Sequence, residues 1–214
     1  MNQKITIAIN REYGSGGRTI GEMLANDLGI HYYDKEILKL ASIDSGINQM
    51  LFNGSEELPR RTKHLKYVKR AKDAYDGQLI PPGSQDFTSD KNLFTYQAKV
   101  IEKLCDEEPC VIVGRCGGFI LKNRPNVVRV FIHAPFDFLM EQAALVKSLP
   151  MKDLQKFIER TNRSRAEYSE YYTGEKWDDA HNYDLCLDSS KLGFEKCVEI
   201  IKGYMKIRFD GLEF

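Results

Sequence analysis

The stretch Tyr13-Gly14-Ser15-Gly16-Gly17-Arg18-Thr19 decides the fold of this chain. It follows a short apolar run, residues 5–9, whose β-branched composition is typical of a strand buried on both faces. Beyond it, apolar residues recur at helical spacing from Ile20 to Leu28, and Gly29 is expected to end that helix. A strand, a glycine turn and a helix in this order leave backbone N–H groups free at the positive end of the helix dipole. The sequence therefore predicts an anion site at the turn.

The rest of the chain alternates in the same way. Further apolar runs predict strands at residues 30–33, 111–114, 127–132 and 183–187. Helical patterns occupy residues 136–146, a long polar segment from 151 to about 172, and the chain from about 194 onward. Asp34 and Asp90 are plausible N-caps of the helices that follow them. This alternation predicts an α/β fold: a three-layer, P-loop NTPase-type domain with a parallel sheet of about five strands.

The chain length suits one domain, 1–214, rather than two. Residues 44–90 are less regular and predict a helical insert, whereas residues 150–180 predict a lid. Within the insert, the basic run from Arg60 to Lys72 is more typical of a solvated helix face than of a nucleic-acid site, because acids follow it and few aromatic residues are interleaved.

The composition excludes several classes of protein. Lys plus Arg and Asp plus Glu both number 31, so the chain lacks the basic surplus of a nucleic-acid-binding protein. No apolar run approaches the roughly 18–20 residues of a membrane span, and residues 5–9 are too few for a signal peptide, so we expect no membrane partner and a cytoplasmic location. The five cysteines form no C-x-x-C pair and the four histidines show no ligand spacing, which argues against disulfides or zinc.

Three interpretations of the glycine turn compete. The P-loop pattern G-x-x-x-x-G-K-[ST] fits in part, with Glu12 at its first glycine, Arg18 at its lysine and Thr19 at its magnesium-binding hydroxyl. A dinucleotide fingerprint G-x-G-x-x-G starting at Gly14 lacks its third glycine, although Asp34 lies where a ribose-binding acid is expected; it would predict an NAD-dependent oxidoreductase. The third interpretation is a purely structural chain reversal. The P-loop is favoured.

Four stretches, taken in order, resemble the cytidylate kinase-like family, a divergent branch of the nucleoside monophosphate kinases. Residues 9–21 resemble the opening of that family, and His31-Tyr32-Tyr33-Asp34 is similar to its acceptor-side segment. Val111-Ile112-Val113-Gly114-Arg115 resembles the strand that ends in Gly-Arg-Asp, and residues 160–190 resemble the lid and the last strand. The resemblance covers nearly the whole chain.

This resemblance implies a function. It implies Mg²⁺-dependent transfer of the γ-phosphoryl group of ATP to a nucleoside monophosphate (cytidylate-like) or a similar small acceptor. Binding of the donor phosphates is implied for Gly14, Ser15, Gly16, Gly17, Arg18 and Thr19, with Thr19 as the metal ligand. Catalytic roles are implied for Arg18, Arg115, Arg163 and Arg165, and acceptor binding for Asp34, Lys35 and Arg115.

The chain departs from the family pattern at three positions. When the loop is aligned on Gly14–Gly16, the lysine position holds Gly17 and Arg18 comes one place late. Cys116 replaces the acid of Gly-Arg-Asp, and Asn162 stands where the lid has an acid. A catalytically degenerate nucleotide-binding or regulatory protein of the same fold therefore remains an alternative. So do simpler roles for Asp34, as an N-cap, and for the lid arginines, as a solvated helix face; the oligomeric state is open, a homodimer included.

Overall fold

A computed structural model describes residues 4–53 and 75–210 of the chain. Five parallel strands form one sheet in the order β2-β3-β1-β4-β5. The strands are β1 (Thr6–Arg11), β2 (His31–Tyr33), β3 (Cys110–Val113), β4 (Val127–His133) and β5 (Leu185–Asp188). The helices are α1 (Gly17–Leu28), α2 (Glu36–Ser45), α3 (Gln49–Asn53), α4 (Asp90–Glu107), α5 (Gly117–Ile120), α6 (Phe136–Val146), α7 (Met151–Thr173), α8 (Ser189–Leu192) and α9 (Phe194–Arg208).

The central strand β1 shows why the sheet is covered on both faces. Residues 7–9 are apolar in succession, and the side chains of residues 6–9, which alternate in direction, are all buried. Ile7 and Ile9 pack in one core cluster with residues of α1 and α9. Ala8 belongs to the opposite cluster, which contains residues of α2 and α4. The predicted three-layer α/β fold with a five-stranded parallel sheet is therefore confirmed.

The helix ends agree with the sequence in one case and differ in two. Gly29 ends α1 in the left-handed conformation, and its N–H donates to carbonyls of the last turn. The cap of α4 is Ser89, whose side chain accepts from the Asn92 amide, so Asp90 is the first helical residue rather than the cap. Likewise Asp34 does not cap α2, which begins at Glu36, because its carboxylate binds Arg18 instead.

The predicted insert and lid remain predictions. Of the insert, the structure describes α3 and a loop from residue 75 to Ser89 that is mostly exposed, whereas the basic run Arg60 to Lys72 lies outside the described residues. The lid segment is largely α7, a single helix of 23 residues. No helix within the described ranges is long and apolar enough to cross a bilayer, and all five cysteines are free thiols.

Candidate functional site

The turn between β1 and α1 is a tight loop that only glycine can build. Gly14 and Gly16 have φ values of +87° and +75°. A Cβ atom at Gly14 would come closer than 3.0 Å to the carbonyl oxygen of Leu139, and one at Gly16 would collide with the ring of Phe194. The buried Ser15 closes the loop, because its hydroxyl donates to the Glu12 carbonyl at 2.9 Å. These contacts thus fix the conformation of the backbone segment that the sequence predicts to bind phosphate.

The first turn of α1 points its amides into this loop. The first intrahelical bond at this end runs from the Ile20 amide to the Gly16 carbonyl at 2.9 Å. The amides of residues 17–19 therefore precede the helical ladder, at the positive end of the helix dipole. The residue at the N-cap is Gly16, whose lack of a side chain leaves these amides accessible to a ligand. Such an arrangement suits an anion.

Glu12 links the loop to the neighbouring strand β4. Its Oε2 accepts a hydrogen bond from the Ala134 amide at 3.1 Å, just beyond the end of that strand. Burial raises the pKa of the Glu12 carboxyl above its usual value, and this outweighs the lowering effects of the Ala134 amide and of His133. The loop therefore carries a carboxyl that is less readily ionised than an exposed one.

Two further predicted residues, Arg18 and Thr19, lie on the outer side of α1. The Arg18 side chain is half-exposed and forms an ion pair with Asp34, which is buried directly after β2. Thr19 is exposed, as is Lys35 next to Asp34. Arg18 thus lies toward the β2 edge of the site, where it joins the donor-side loop to the segment predicted to bind the acceptor.

The backbone beyond β3 adopts an unusual conformation at Arg115. Gly114, Arg115 and Cys116 all have positive φ values, of +76°, +59° and +54°. Non-glycine residues rarely adopt this region, and such strained positions concentrate at functional sites. The Arg115 carbonyl accepts a bond from the buried Gln97 amide, which helps to hold it. Burial raises the pKa of the Cys116 thiol to about 12, so this side chain is a neutral group and not a substitute for the missing acid.

Of the three arginines at residues 160–165 of helix α7, two of which are predicted to be catalytic, one enters the site. Arg165 is buried, and its Nη1 donates to the Arg11 carbonyl at 3.0 Å. Asn162, one turn earlier, accepts from the Tyr13 amide at 2.7 Å and so docks the helix against the loop. Arg160 and Arg163 are exposed on other faces of the helix. The structure therefore gathers Arg165 with the loop and leaves the other two in solvent.

Arg11, the last residue of β1, also belongs to the site, although it is not among the residues predicted from the sequence. Its side chain is 6% exposed. It passes so close to Gly17 that a Cβ there would lie within 3.0 Å of the Arg11 Cβ, and its Nη1 would be 2.6 Å from a Cβ at Gly114. An arginine at the end of an apolar strand, beside a glycine in the lysine position, was the available signal.

Arg11, Arg115 and Arg165 line one cleft at the carboxyl ends of β1 and β3, the edge where open parallel sheets bind ligands, whereas residues 12–19, Asp34 and Lys35 are not part of its wall. Its walls include Arg11, Arg115 and Arg165, with Cys116 and Trp177 alongside. Among the described residues, none that lines this cleft is acidic. Three guanidinium groups without an acid in the wall suit an anionic ligand, such as a phosphate.

Tyr32 contributes a buried hydroxyl near the cleft. It makes no hydrogen bond within the described part of the chain, and its ring lies under α1, 3.1 Å from where a Cβ at Gly21 would be. Burial raises its pKa to about 12, opposed in part by Arg18 and Arg11. The hydroxyl is therefore neutral and able to donate at neutral pH.

Comparison with known proteins identifies the family of this chain. A model of the cytidylate kinase-like family matches residues 6–191. The chain belongs to the cytidylate kinase-like family. The resemblance seen in the sequence is thereby confirmed, and membership of this kinase family supports phosphotransfer of the nucleotide-kinase type. Among curated proteins, this family member is similar to the cytidylate kinase of Methanosarcina barkeri, with 27% identity over 191 residues, 88% of this chain and 89% of that protein.

Solved structures share the fold. An uncharacterised protein from Eubacterium ventriosum superposes with a TM-score of 0.67 at 24% identity, covering 94% of this chain and 98% of that one. The shikimate kinase of Bacteroides thetaiotaomicron superposes with a TM-score of 0.52 at 13% identity, over 94% and 98% of the two chains. This cytidylate kinase-like protein thus shares its overall fold with a shikimate kinase.

Proposed function

We propose that this protein transfers the γ-phosphoryl group of ATP to a nucleoside monophosphate, cytidylate-like, or to a similar small acceptor. The observation that carries the proposal is the acid-free cleft with three arginines, which opens beside the glycine loop in a kinase-family chain. The bond from the γ-phosphorus to its bridging oxygen breaks, and an oxygen of the acceptor phosphate forms the new bond. The products are ADP and a nucleoside diphosphate.

Each side of the site has a role in this reaction. The backbone of residues 14–17 would bind the donor phosphates, with Arg18 as the nearby cation of α1. Arg115, held in its strained conformation, would bind the acceptor phosphate through its two-pronged guanidinium. Arg165 would neutralise charge on the transferring group, joined by Arg163 when α7 moves. Asp34 and Lys35 would lie beside the acceptor nucleotide. Such a transfer needs mainly positioning and charge neutralisation.

The residues present fit a magnesium ion that is held chiefly by the nucleotide. In the register that places Arg18 at the lysine position, Thr19, exposed on the first turn of α1, would supply one oxygen. No cluster of three or more acidic, histidine or cysteine side chains suited to a metal occurs in residues 4–53 and 75–210. Mg²⁺ in kinases is commonly bound through one or two protein oxygens together with substrate phosphates. When bound, the ion would neutralise charge on the donor phosphates.

The sheet order argues against the dinucleotide alternative. Here β3 lies between β2 and β1, whereas the dinucleotide-binding fold has strand order 3-2-1-4-5-6, with β2 beside β1. An acid after β2 is therefore one strand further from the glycine loop than a ribose-binding acid should be. The ion pair between Asp34 and Arg18 gives this acid a different contact.

A second candidate is a nucleotide-binding regulatory protein without kinase activity, which the absence of a lysine from residues 12–19 favours. The test is ADP release from ATP and Mg²⁺ with CMP, dCMP, UMP and AMP as acceptors. We expect turnover with at least one acceptor, and about 100-fold less for Arg115→Met. The control Arg124→Met removes an exposed arginine near the other end of the sheet. Nucleotide binding without ADP release above the acceptor-free rate would instead identify the regulatory protein.

A further inference from the structure

The glycine loop departs from the P-loop pattern at three positions, two of which amount to an exchange. When G-x-x-x-x-G-K-[ST] is aligned on Gly14–Gly16, its first glycine falls on Arg11, its lysine on Gly17 and its Ser/Thr on Arg18. The pattern therefore has a cation where a glycine is expected, and a glycine where the cation is expected. Both positions border the loop, one at the end of β1 and the other at the start of α1.

The structure shows that these two exchanges depend on each other. The Arg11 side chain leaves β1 directly beneath the first residue of α1. A Cβ at Gly17 would lie closer than 3.0 Å to the Arg11 Cβ and 2.9 Å from its Cγ. Any side chain at position 17 therefore collides with Arg11. The lysine of the common pattern is incompatible with this arginine in its present place.

The far end of the arginine is directed into the candidate site. Its Nη1 and Cζ would be 2.6 Å and 3.3 Å from a Cβ at Gly114, the residue just before Arg115. The guanidinium thus lies between the glycine loop and the predicted acceptor arginine. It lines the same cleft as Arg115 and Arg165, and the bond from Arg165 to the Arg11 carbonyl fixes its backbone.

We propose that Arg11 supplies the cation that other P-loop kinases obtain from the loop lysine, and that it binds the phosphoryl group in transit between donor and acceptor. This inference rests on the proposed function. Arginine remains charged when it is buried, and its planar fork can hold two phosphate oxygens at once. The Arg11 side chain is held between Gly17 and Gly114 and is therefore more rigid than a flexible loop lysine. Less side-chain conformational entropy is then lost when phosphate binds.

The test restores the first glycine and the lysine of the common pattern in two steps. Arg11→Gly and Arg11→Met should each lower kcat by about 100-fold or more, with a smaller change in the KM for ATP. Gly17→Lys alone should also be impaired, because the new side chain meets Arg11. The double variant Arg11→Gly/Gly17→Lys should recover at least about tenfold over Arg11→Gly. Full activity of Arg11→Met, or no recovery in a double variant that melts like the wild type, would overturn the inference.

Binding of inorganic tripolyphosphate separates this inference from the proposed function. If the wild type turns over none of the acceptors, the kinase proposal fails. The phosphate-binding role of Arg11 is then tested by calorimetry of tripolyphosphate binding alone. Arg11→Met should then bind tripolyphosphate about tenfold more weakly than the wild type, while the surface control Arg124→Met binds it equally well. Equal affinity of Arg11→Met and wild type would overturn the role of Arg11. Arg11→Lys keeps the charge and serves where Arg11→Met does not fold; it should retain tighter binding than Arg11→Gly.

Discussion

Arg18 on α1 and Asp34 after β2 form an ion pair whose partners differ strongly in exposure. The side chain of Arg18 is 52% exposed, whereas that of Asp34 is 9% exposed. The loss of stability therefore depends on which residue of the pair is left without its partner. Water can solvate a lone Arg18, but a lone Asp34 would be a charge with little access to water.

This asymmetry predicts unequal effects on stability. Arg18→Met should lower the free energy of unfolding by about 1–2 kcal/mol, because it strands the buried carboxylate. Asp34→Asn should cost less than about 1 kcal/mol, since the arginine left behind is half solvated. The double variant should be close to Asp34→Asn alone. Urea unfolding of the four proteins measures these values, and equal costs for the two single variants would contradict the explanation.

The same variants separate two roles for Arg18 in catalysis. If Arg18 acts on the donor phosphates, Arg18→Met should lower kcat by about 100-fold while Asp34→Asn, which frees the arginine, loses much less. We expect this result. Equal losses in both variants would mean that Arg18 only positions Asp34. Values of kcat at saturating ATP and saturating acceptor, compared at a temperature where all variants are folded, provide the measurement.

The sequence predicts the sheet better than it predicts the site. The strands are visible because most residues of a strand covered on both faces are apolar, and this signal is local. Which arginine enters the cleft is decided by tertiary contacts. Arg163 and Arg165 lie in the same polar segment of the sequence, yet the docking of α7 through Asn162 turns only Arg165 inward. For Arg11, the sequence shows an arginine at the strand end and a glycine in the lysine position, but the path of its side chain past Gly17 and Gly114 is set by tertiary contacts.

Gly17 offers a steric test of the packing beneath α1. Gly17→Ala should lower the free energy of unfolding by about 1–3 kcal/mol, because its methyl group overlaps the Arg11 side chain. Gly203→Ala on α9 is the matched control, since no heavy atom lies within 4 Å of its new methyl group. In a helix interior that change should be neutral or stabilising by up to about 1 kcal/mol. Thermal or urea unfolding compares them, and a harmless Gly17→Ala would refute the predicted clash.

Asn162 allows the docking of α7 on the loop to be tested. Asn162→Ala removes the acceptor of the Tyr13 amide and should cost about 1 kcal/mol of stability. Asn162→Asp keeps an oxygen at the same place and should remain within about 0.5 kcal/mol of the wild type. Urea unfolding distinguishes them. Equal destabilisation by the two substitutions would show that the hydrogen bond to Tyr13 is not what holds the helix against the loop.

Glu12 gives the stability of the protein a defined pH dependence. Burial raises its pKa in the folded state, so the folded protein binds this proton more tightly than the unfolded chain does. The protonated Glu12 carboxyl contributes fully to the free energy of unfolding below the pKa of an unfolded glutamate. This contribution is lost as the pH rises through the pKa that Glu12 has in the folded protein. Glu12→Gln keeps an acceptor for the Ala134 amide and should raise Tm by about 1–3 °C at pH 7.5, but not at pH 4. The exposed control Glu170→Gln should change Tm less at pH 7.5. A gain for Glu12→Gln that is equal at both pH values would contradict this account, because it would not depend on ionisation.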